Sequence, residues 1–317
     1  MDKLIKKTFF VERDCCPACG FDEKKILYKK SFNYEPIKKY LVDFYPGPGG
    51  VNFEYLEDQE YILCECEQCN LIYQLKIPNA ELMNILYEKW INPELSLSSR
   101  SQKSSTFYKQ YAIEIMTIGS LFEKNPSQLK FLDFGMGWGD WLLMASSFGY
   151  DCYGLESSES RIKYAKQRGL KVIDWEEAKN IRFDFINTEQ VFEHIPDPLE
   201  TLIKLKKLLK PNGLIKISVP AARDINRRLD LMDWQAPKGS KNSLNPVAPL
   251  EHIQYFRRSS LDRMAEKAGM FEFKVPFKVQ YDNQMGWLNS RSFIKNAVLP
   301  IYRNWLQQGN YVFFKSK

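Results

Sequence analysis

The sequence predicts an α/β protein in which a mostly parallel sheet has helices on both faces and follows a small cysteine-rich module. Three observations lead to this fold class. From about residue 107 onwards, short apolar segments alternate with amphipathic ones, which is typical of strands joined by helical crossovers. The run FLDFGMGWGDW at 131–141 places glycines directly between such a strand and such a helix. Six of the seven cysteines lie in the first 69 residues, in CCPACG at 15–20 and CECEQC at 64–69.

The predicted helices and strands of the larger region succeed one another along the chain. Three of the helices end where the chain offers a helix stop, at Gly149, at Gly169 and before Pro211. Strands connected in this way form a parallel sheet. In order, the segments are the helix FYKQYAIEIMTIGSLFEK, the strand KFLDFG, the helix DWLLMASSFG, the strand CYGLE, the helix SRIKYAKQRG, the strands LKVID and FDFINT, the helix DPLETLIKLKKLLK, the strand LIKISVP, the helix SSLDRMAEKAG, and the strands FEFKVPFKV and GNYVFFK.

The chain is expected to have two domains. Its 317 residues, 44% of them hydrophobic, are enough for one large domain and a small one. We predict an N-terminal module at 1–91, a serine-rich linker or lid at 92–106, and the α/β domain at 107–317.

Charge and hydropathy limit the possible partners. The 45 basic and 39 acidic residues give a net charge of +6, which permits an anionic partner but does not demand nucleic acid. No segment approaches the ~18 consecutive apolar residues of a membrane span. The N-terminal run MDKLIKKTFFVERDCC lacks the apolar core of a secretory signal. We therefore expect a cytoplasmic protein.

The glycine strip predicts a ligand beyond the carboxyl end of its strand, where backbone without side chains allows close approach. A dinucleotide fingerprint would need a third glycine at Asp140, and the GK[ST] ending of a phosphate-binding P-loop is absent. Glu156 ends the next strand, where a carboxylate can accept hydrogen bonds from both hydroxyls of a ribose. These residues favour a ribose-containing cofactor other than a nicotinamide or flavin dinucleotide.

Four segments resemble, in order, the motif series of class I S-adenosylmethionine-dependent methyltransferases: FLDFGMGWGDW, YGLE, FDFINTEQVFEHIPDP and LLKPNGLIKISVP. The resemblance covers roughly residues 107–317 and implies a Rossmann-like sheet that binds S-adenosylmethionine. It implies that Asp133 and the glycine loop cradle the methionine part, and that Glu156 holds the ribose. The remaining cofactor positions that it implies are Gly135, Met136, Gly137 and Gly139 in the loop, Ser157 beside Glu156, Asp174 and Trp175 at the adenine, and Thr188, Glu189 and Gln190 at the methionine and methyl-transfer side.

The two CxxC pairs predict one structural Zn²⁺ in a zinc-ribbon-like module, because four thiolates match the tetrahedral preference of zinc. Gly20 and Asn70 follow the pairs, where a knuckle needs a residue able to adopt positive φ. Cys15 and Cys64 lack this pattern, although either could replace a ligand. A redox role is the alternative, disfavoured because a thioredoxin-like βαβ setting is missing. The four predicted ligands are Cys16, Cys19, Cys66 and Cys69.

The segment CEQCNLIYQLKIPNAELMNILY also resembles the zinc knuckle that precedes some small-molecule methyltransferases, including sugar methyltransferases. In this chain a long insert at 20–63 departs from that pattern.

The candidate catalytic residues are the two histidines of the chain and one carboxylate. His194 follows Glu193 in VFEHIPDP, and His252 lies in PLEHIQYF directly after the long loop 235–250. Methyl transfer to an alcohol or amine needs a base that removes a proton, and His194 or His252 could supply it. Some members of the resembled family bind a divalent metal on an ExxEH arrangement, but Gln190 occupies its first position here.

We expect the methyl acceptor to be a small polar molecule, a sugar or sugar nucleotide. The loop 235–250 and the segment YDNQMGWLNSRS are rich in hydrogen-bonding side chains, and Trp234 and Trp287 offer flat faces that could stack on a sugar ring. Two alternatives stay open. One is an RNA methyltransferase whose zinc module binds nucleic acid through LYKKSFNYEPIKKY. The other is a non-catalytic cofactor-binding scaffold.

Overall fold

The computed structural model describes residues 8–316 except 48, 223, 285–293, 295, 296 and 302–310. The strands of this part of the chain are β1 Phe10–Glu12, β2 Lys24–Ser31, β3 Glu60–Cys66, β4 Ile72–Gln74, β5 Lys76–Pro78, β6 Lys130–Phe134, β7 Asp151–Leu155, β8 Phe183–Glu189, β9 Leu209–Ser218, β10 Gln254–Tyr255, β11 Met270–Glu272 and β12 Tyr311–Ser316.

Several helices begin at a residue that binds the free N–H groups of the first turn. The Asn79 side chain accepts from the N–H of Leu82, and α2 continues into a π-helical turn at Leu86–Trp90. The helices are α1 Glu35–Phe44, α2 Ala80–Ile85, α3 Pro93–Ser101, α4 Ser105–Gly119, α5 Asp140–Ser147, α6 Glu159–Gln167, α7 Trp175–Ala178, α8 Pro198–Lys207, α9 Ile225–Leu231, α10 Arg258–Lys267 and α11 Phe277–Asp282.

The chain divides into two compact units, and each is built from several stretches of sequence. Unit 1 consists of Met1–Ser98, Glu193–Pro198 and Pro220–Met264. Unit 2 consists of Ser99–Phe192, Leu199–Val219 and Ala265–Lys317. This division differs from the predicted boundaries at residues 91 and 107, because two later stretches belong with the N-terminal residues.

Unit 1 is organised around an antiparallel sheet with the strand order β10-β4-β3-β2. A separate antiparallel pair joins β1 to β5. One edge strand, β10, comes from the late stretch of the chain and pairs Gln254 with Tyr73. The apolar core likewise combines early residues such as Leu41 and Tyr61 with late ones such as Leu250. The cysteine-rich N-terminus therefore completes its sheet and core only with residues 220–264.

Unit 2 contains the predicted α/β sheet, with the strand order β11-β12-β9-β8-β6-β7. The pairs among β9, β8, β6 and β7 are parallel, whereas β12 and β11 are antiparallel to their neighbours, so the sheet is mixed. Its core includes Phe131 from β6, Phe185 from β8 and Trp141 from α5. Parallel strands place their carboxyl ends at one edge, and β6, β7 and β8 end there at Phe134, Leu155 and Glu189.

Two local predictions are wrong, those of LKVID and of FEFKVPFKV as complete strands. LKVID forms only an isolated bridge between Val172 and Gly154 instead of a strand. The predicted linker or lid at 92–106 contains helix α3 and the start of α4. FEFKVPFKV is a strand only at its beginning, because Pro276 precedes helix α11. Within the described residues, no helix has the length and apolar character to cross a membrane.

Candidate active site and metal centre

The four predicted zinc ligands form one buried cluster in unit 1. The Sγ atoms of Cys16 and Cys69 lie 3.6 Å apart, as do those of Cys19 and Cys66. All four sulfurs lie within 4.8 Å of one another. Zn–S bonds of about 2.3 Å in a tetrahedron place sulfurs about 3.8 Å apart, so the cluster has the dimensions of a Cys₄ zinc site.

The backbone around the cluster forms two matching knuckles. Gly20 has φ 75° and Asn70 has φ 61°, as their positions after the CxxC pairs predict. The Gly20 N–H donates to the carbonyl of Cys16 at 2.8 Å, and the Asn70 N–H donates to that of Cys66 at 3.0 Å. The same turn is thus built twice and brings two sulfurs from each turn together.

Burial favours neutral thiols at this cluster when no cation is bound. A hydrogen bond with Cys69, followed by burial, raises the pKa of Cys16, and burial raises the pKa of Cys19 to about 12. A divalent cation would replace these protons, and its binding would release them. Cys64 is buried outside the cluster, and Cys15 also lies outside it.

The glycine loop of unit 2 leaves β6 in a tight turn. Gly135, Gly137 and Gly139 all have positive φ, at 69°, 56° and 81°. A Cβ on Gly135 would lie 2.5 Å from a methyl carbon of Val191. The N–H groups of Gly135 and of the buried Met136 donate to the carbonyl of Leu155 at 2.8 and 3.2 Å, which ties the loop to the end of β7. The positive φ at all three positions and the close approach of Val191 at Gly135 therefore favour glycine in this loop.

Glu156 lies against this loop. Its Oε2 accepts from the N–H of Gly137 at 2.9 Å, and its Oε1 accepts from the N–H groups of Ser157 and Ser158 at 2.8 and 3.1 Å. Arg161 approaches the same carboxylate at 3.8 Å. The carboxylate is thereby held at the carboxyl end of β7, where the ribose role requires it.

A row of polar side chains crosses the centre of the sheet below the loop. Asp133 on β6 is the register partner of Asn187 on β8, and Asn187 is the register partner of Lys216 on β9. Asp133 Oδ1 accepts from Asn187 Nδ2 at 2.7 Å, and burial raises the pKa of Asp133 to about 7. Asp133 is only 3% exposed, so its contact with the methionine part of the cofactor stays a prediction.

The end of β8 carries acceptors that suit a ligand. Lys216 Nζ donates to Glu114 Oε1 at 2.6 Å and lies 3.6 Å from Glu189 Oε2. Burial lowers the pKa of Lys216, but the charges of Glu114 and Glu189 outweigh it and raise that pKa overall. Asn187 Oδ1 and Glu189 Oε2 are buried without a hydrogen-bond partner in the described structure. Buried acceptors of this kind are expected where a ligand supplies the donor.

Gln190 directly follows β8, whereas the predicted adenine residues Asp174 and Trp175 begin α7. Gln190 has φ 54°, and its N–H donates to the carbonyl of Ser218 at 2.9 Å. The ring of Trp175 packs 5.4 Å from that of Phe134, the last residue of β6. Asp174 begins α7 with a capping box, in which its Oδ1 accepts from the N–H of Glu177 at 2.8 Å. Its direct contact with adenine stays a prediction.

The two histidines meet in unit 1. Their ring centroids lie 4.8 Å apart. His194 Nδ1 bonds to the carbonyl of Glu251 at 2.9 Å, and His252 Nδ1 bonds to that of Asn245. A backbone carbonyl only accepts, so both Nδ1 atoms carry a proton, and in the neutral form of each ring the lone pair lies on Nε2.

Glu193 completes this cluster. It is 1% exposed, and neither carboxylate oxygen has a hydrogen-bond partner in the described part of the chain. Its Oε1 lies 3.8 Å from His194 Nε2, and burial raises its pKa to about 7. Burial lowers the pKa of His252 well below its usual value. With ligand atoms within 4.8 Å of one another, the three groups can accept a proton or surround a divalent cation.

A family described as "Methyltransferase domain" matches residues 109–271, just over half of the chain. The chain belongs to this methyltransferase family. The chain thus contains a methyltransferase domain, and the assignment of the unit 2 site to the cofactor stays a prediction.

The methyltransferase is similar to proteins named ubiquinone biosynthesis O-methyltransferase. That of Cereibacter sphaeroides (strain ATCC 17025 / ATH 2.4.3) is 30% identical over 160 residues, which cover 45% of this chain and 64% of the relative. That of Hydrogenovibrio crunogenus is 24% identical over 176 residues, covering 48% and 71%. The solved plantazolicin methyltransferase BpumL in complex with SAH is 18% identical over 74% of this chain and 94% of its own, with a TM-score of 0.48.

The methyltransferase also contains site residues that the sequence analysis missed. Glu114, Asn187 and Lys216 take part in the polar row, and Arg13 and Gln254 lie beside the histidine segments. A lysine inside the apolar strand LIKISVP was a readable signal for Lys216. Arg13 had none, because its partners are about 60 to 240 residues away along the chain.

The aromatic support for a sugar site is not found. Trp234 is 8% exposed and packs in the core of unit 1 among Tyr28, Tyr40 and Tyr61, with its Nε1 donating to the Tyr28 hydroxyl at 3.2 Å. It therefore presents no free face to a ligand. Trp287 lies outside the described residues.

Proposed function

We propose that the methyltransferase transfers a methyl group from S-adenosylmethionine to a hydroxyl oxygen of a small polar acceptor. The observation that carries this proposal is the cluster of His194, His252 and Glu193, which offers basic atoms with the tautomers fixed. The name of the Cereibacter sphaeroides relative, an O-methyltransferase, supports oxygen as the acceptor atom.

In the proposed reaction, the acceptor oxygen attacks the methyl carbon of the sulfonium. The C–O bond forms as the C–S bond breaks, and sulfur keeps the electron pair of the broken bond. The hydroxyl proton passes to Nε2 of His194, the more exposed of the two imidazoles, at 19% against a buried His252. His252, held at Asn245, orients its partner.

We propose a sugar or sugar nucleotide as the acceptor class. Gln235, Lys238 and Lys241 of the loop 235–250 are exposed and offer an amide and two cations. Such groups suit the hydroxyls of a sugar and the diphosphate of a sugar nucleotide. With Trp234 buried, the proposal rests on these polar groups rather than on stacking.

We also propose that the cysteine cluster holds one structural Zn²⁺. The residues that would hold it are Cys16, Cys19, Cys66 and Cys69. A closed four-thiolate site leaves no open coordination position, so the metal would contribute to folding and not to the reaction.

The test of the function is incubation with methyl-labelled S-adenosylmethionine and separate pools of small metabolites, nucleotide sugars and RNA. We expect label in the small-molecule or nucleotide-sugar pool. Label in RNA alone would favour the RNA methyltransferase alternative and overturn the proposal. Absence of label from every pool, with SAH still bound, would favour a non-catalytic scaffold.

The base is tested by His194→Gln and His252→Gln. We expect His194→Gln to lower turnover by about 10²–10⁴-fold, because it removes the proton acceptor. The affinity of the His194→Gln variant for SAH, the demethylated cofactor, should equal that of the unchanged protein when measured by calorimetry. Full turnover in both variants would contradict the histidine mechanism. Loss of turnover on chelation that leaves the Cys₄ zinc in place would instead assign these residues to a divalent cation.

A further inference from the structure

Arg13 lies directly before the first cysteine knuckle, and its side chain is buried inside unit 1 at 9% exposure. Nη1 donates to the carbonyls of Ile253 and Gln74 at 3.2 and 3.4 Å. Nη2 donates to the carbonyl of Pro196 and to Gln254 Oε1, both at 2.9 Å. One guanidinium thus joins four oxygens from separate stretches of the chain.

The acceptors of Arg13 belong to the two segments that carry the histidines. Pro196 follows His194 by two residues, and Ile253 follows His252 directly. Gln254 extends the connection, because its Nε2 donates to the carbonyl of Ile195 at 2.8 Å. Both histidine segments are therefore bound to the same side chain.

The second cysteine knuckle reaches the same region through Gln74, at the end of β4. Gln74 is fully buried, and its Nε2 donates to the carbonyls of His252 and Ala248 at 3.0 and 3.2 Å. The N–H of Leu250 donates to Gln74 Oε1 at 3.4 Å. Arg13 precedes the first knuckle by three residues and Gln74 follows the second by five, so each knuckle has a buried polar side chain beside it that holds a histidine segment.

The chemistry of the position calls for arginine. Three carbonyl oxygens and an amide oxygen converge on it, and a planar fork of N–H donors satisfies them together. Burial lowers the pKa of Arg13 to about 10, which still leaves it charged at neutral pH. Lysine has a single ammonium group, which cannot bind all four oxygens as the two terminal nitrogens of the guanidinium do.

We propose that Arg13 is a positioning residue that sets the separation of the His194 and His252 imidazoles by tying both segments to the cysteine knuckles. Its importance for catalysis rests on the proposed function, but the positioning itself does not. The cysteine module thereby helps to position the two histidines, in addition to its role in folding.

The test uses Arg13→Lys in the full chain. The chain has two histidines, and the His194→Gln and His252→Gln variants assign the ¹⁵N signals of the two imidazoles. We expect both sets of imidazole signals to shift and turnover to fall by about 10- to 100-fold, because small misplacements near reacting groups are costly. SAH affinity should stay within about 2-fold, and the zinc content should not change.

Arg257→Lys is the matched control, since Arg257 is bound in unit 1 to the side chains of Glu65 and Asn226 instead of the histidine segments. It should leave the imidazole signals unchanged. Gln254→Met provides a second variant if Arg13→Lys does not fold, and it should shift the signals of His194 more than those of His252.

Unchanged imidazole signals in Arg13→Lys, or in Gln254→Met where only that variant folds, would overturn the inference. Shifted signals together with full turnover in both histidine-to-glutamine variants would refute the histidine mechanism and leave the positioning role standing. The two failures are therefore distinguishable.

Discussion

At the scale of single residues, Glu156 is bound to the glycine loop and is the residue expected to hold the ribose of the cofactor. Its carboxylate already receives N–H groups from Gly137, Ser157 and Ser158. A ribose would compete for the same oxygens or use their remaining lone pairs. Glu156 is thus both a loop anchor and the expected ligand.

Glu156→Ala should weaken binding of S-adenosylmethionine and SAH by about 1.5–3 kcal/mol, the loss expected for charge-assisted hydrogen bonds. Calorimetry measures this change directly. Glu159→Ala is a suitable control, because Glu159 is an exposed residue in the first turn of the neighbouring α6. Equal affinities in the Glu156 and Glu159 variants would contradict the ribose role.

Asp133 makes the stability of the cofactor-free protein depend on pH. Burial raises its pKa from 3.8 to about 7 in the folded state. The folded protein therefore holds a proton that the unfolded chain has lost, and the stability present below about pH 4 is lost as pH rises to about 7. Asp133→Asn removes this titration. As pH rises from about 4 to about 7, the free energy of unfolding of the unchanged protein should therefore fall relative to that of the variant. Parallel denaturant titrations at pH 4–8 would show whether the two curves diverge.

At the scale of elements, the knuckles explain why the cysteine cluster could be predicted. The CxxC spacing and the following Gly20 and Asn70 are local signals, and the structure confirms the positive φ at both positions. The glycine loop before α5 is local in the same sense. Arg13 and Gln74 could not be predicted, because their partners come from distant stretches and neutral backbone carbonyls leave no mark in a sequence.

The same limit explains the failures among the elements. LKVID has the composition of a strand, but only Val172 bridges Gly154 at the edge of the sheet. The serine-rich segment after residue 92 reads as a linker, yet Asn92 accepts from the N–H groups of Glu94 and Leu95 and begins α3. In this segment the capping residue Asn92 was therefore a better guide to the structure than the serine-rich composition.

The metal prediction belongs to this scale. Cys69→Ser should lower the zinc content well below one per chain and destabilise unit 1, because it removes one of four ligands. Cys64→Ser is the matched control, since Cys64 is equally buried on β3 but lies outside the cluster. Elemental analysis and thermal unfolding measure the two effects. An equal loss of zinc in the control would show that Cys64 is a ligand.

At the scale of the whole molecule, the two units differ from the predicted domains in a way that can be tested. Residues 1–106 contain the cysteine cluster but lack β10 and the late core residues such as Leu244 and Leu250. We expect a fragment of residues 1–106 to show no cooperative unfolding by circular dichroism, even with zinc, whereas the full chain unfolds cooperatively. A sharp transition in the fragment would mean that the predicted module folds independently.

The pairing of β4 with β10 also has a consequence for synthesis on the ribosome. The ligands of the cysteine cluster emerge early, but Gln254 and Tyr255 are translated about 190 residues after Cys69, which at roughly 5–20 residues per second takes about 10–40 s. During this interval one edge of β4 lacks its partner strand, and the core residues of the N-terminal stretch lack the later residues that pack against them. Until β10 has been made, this edge can therefore pair with another chain.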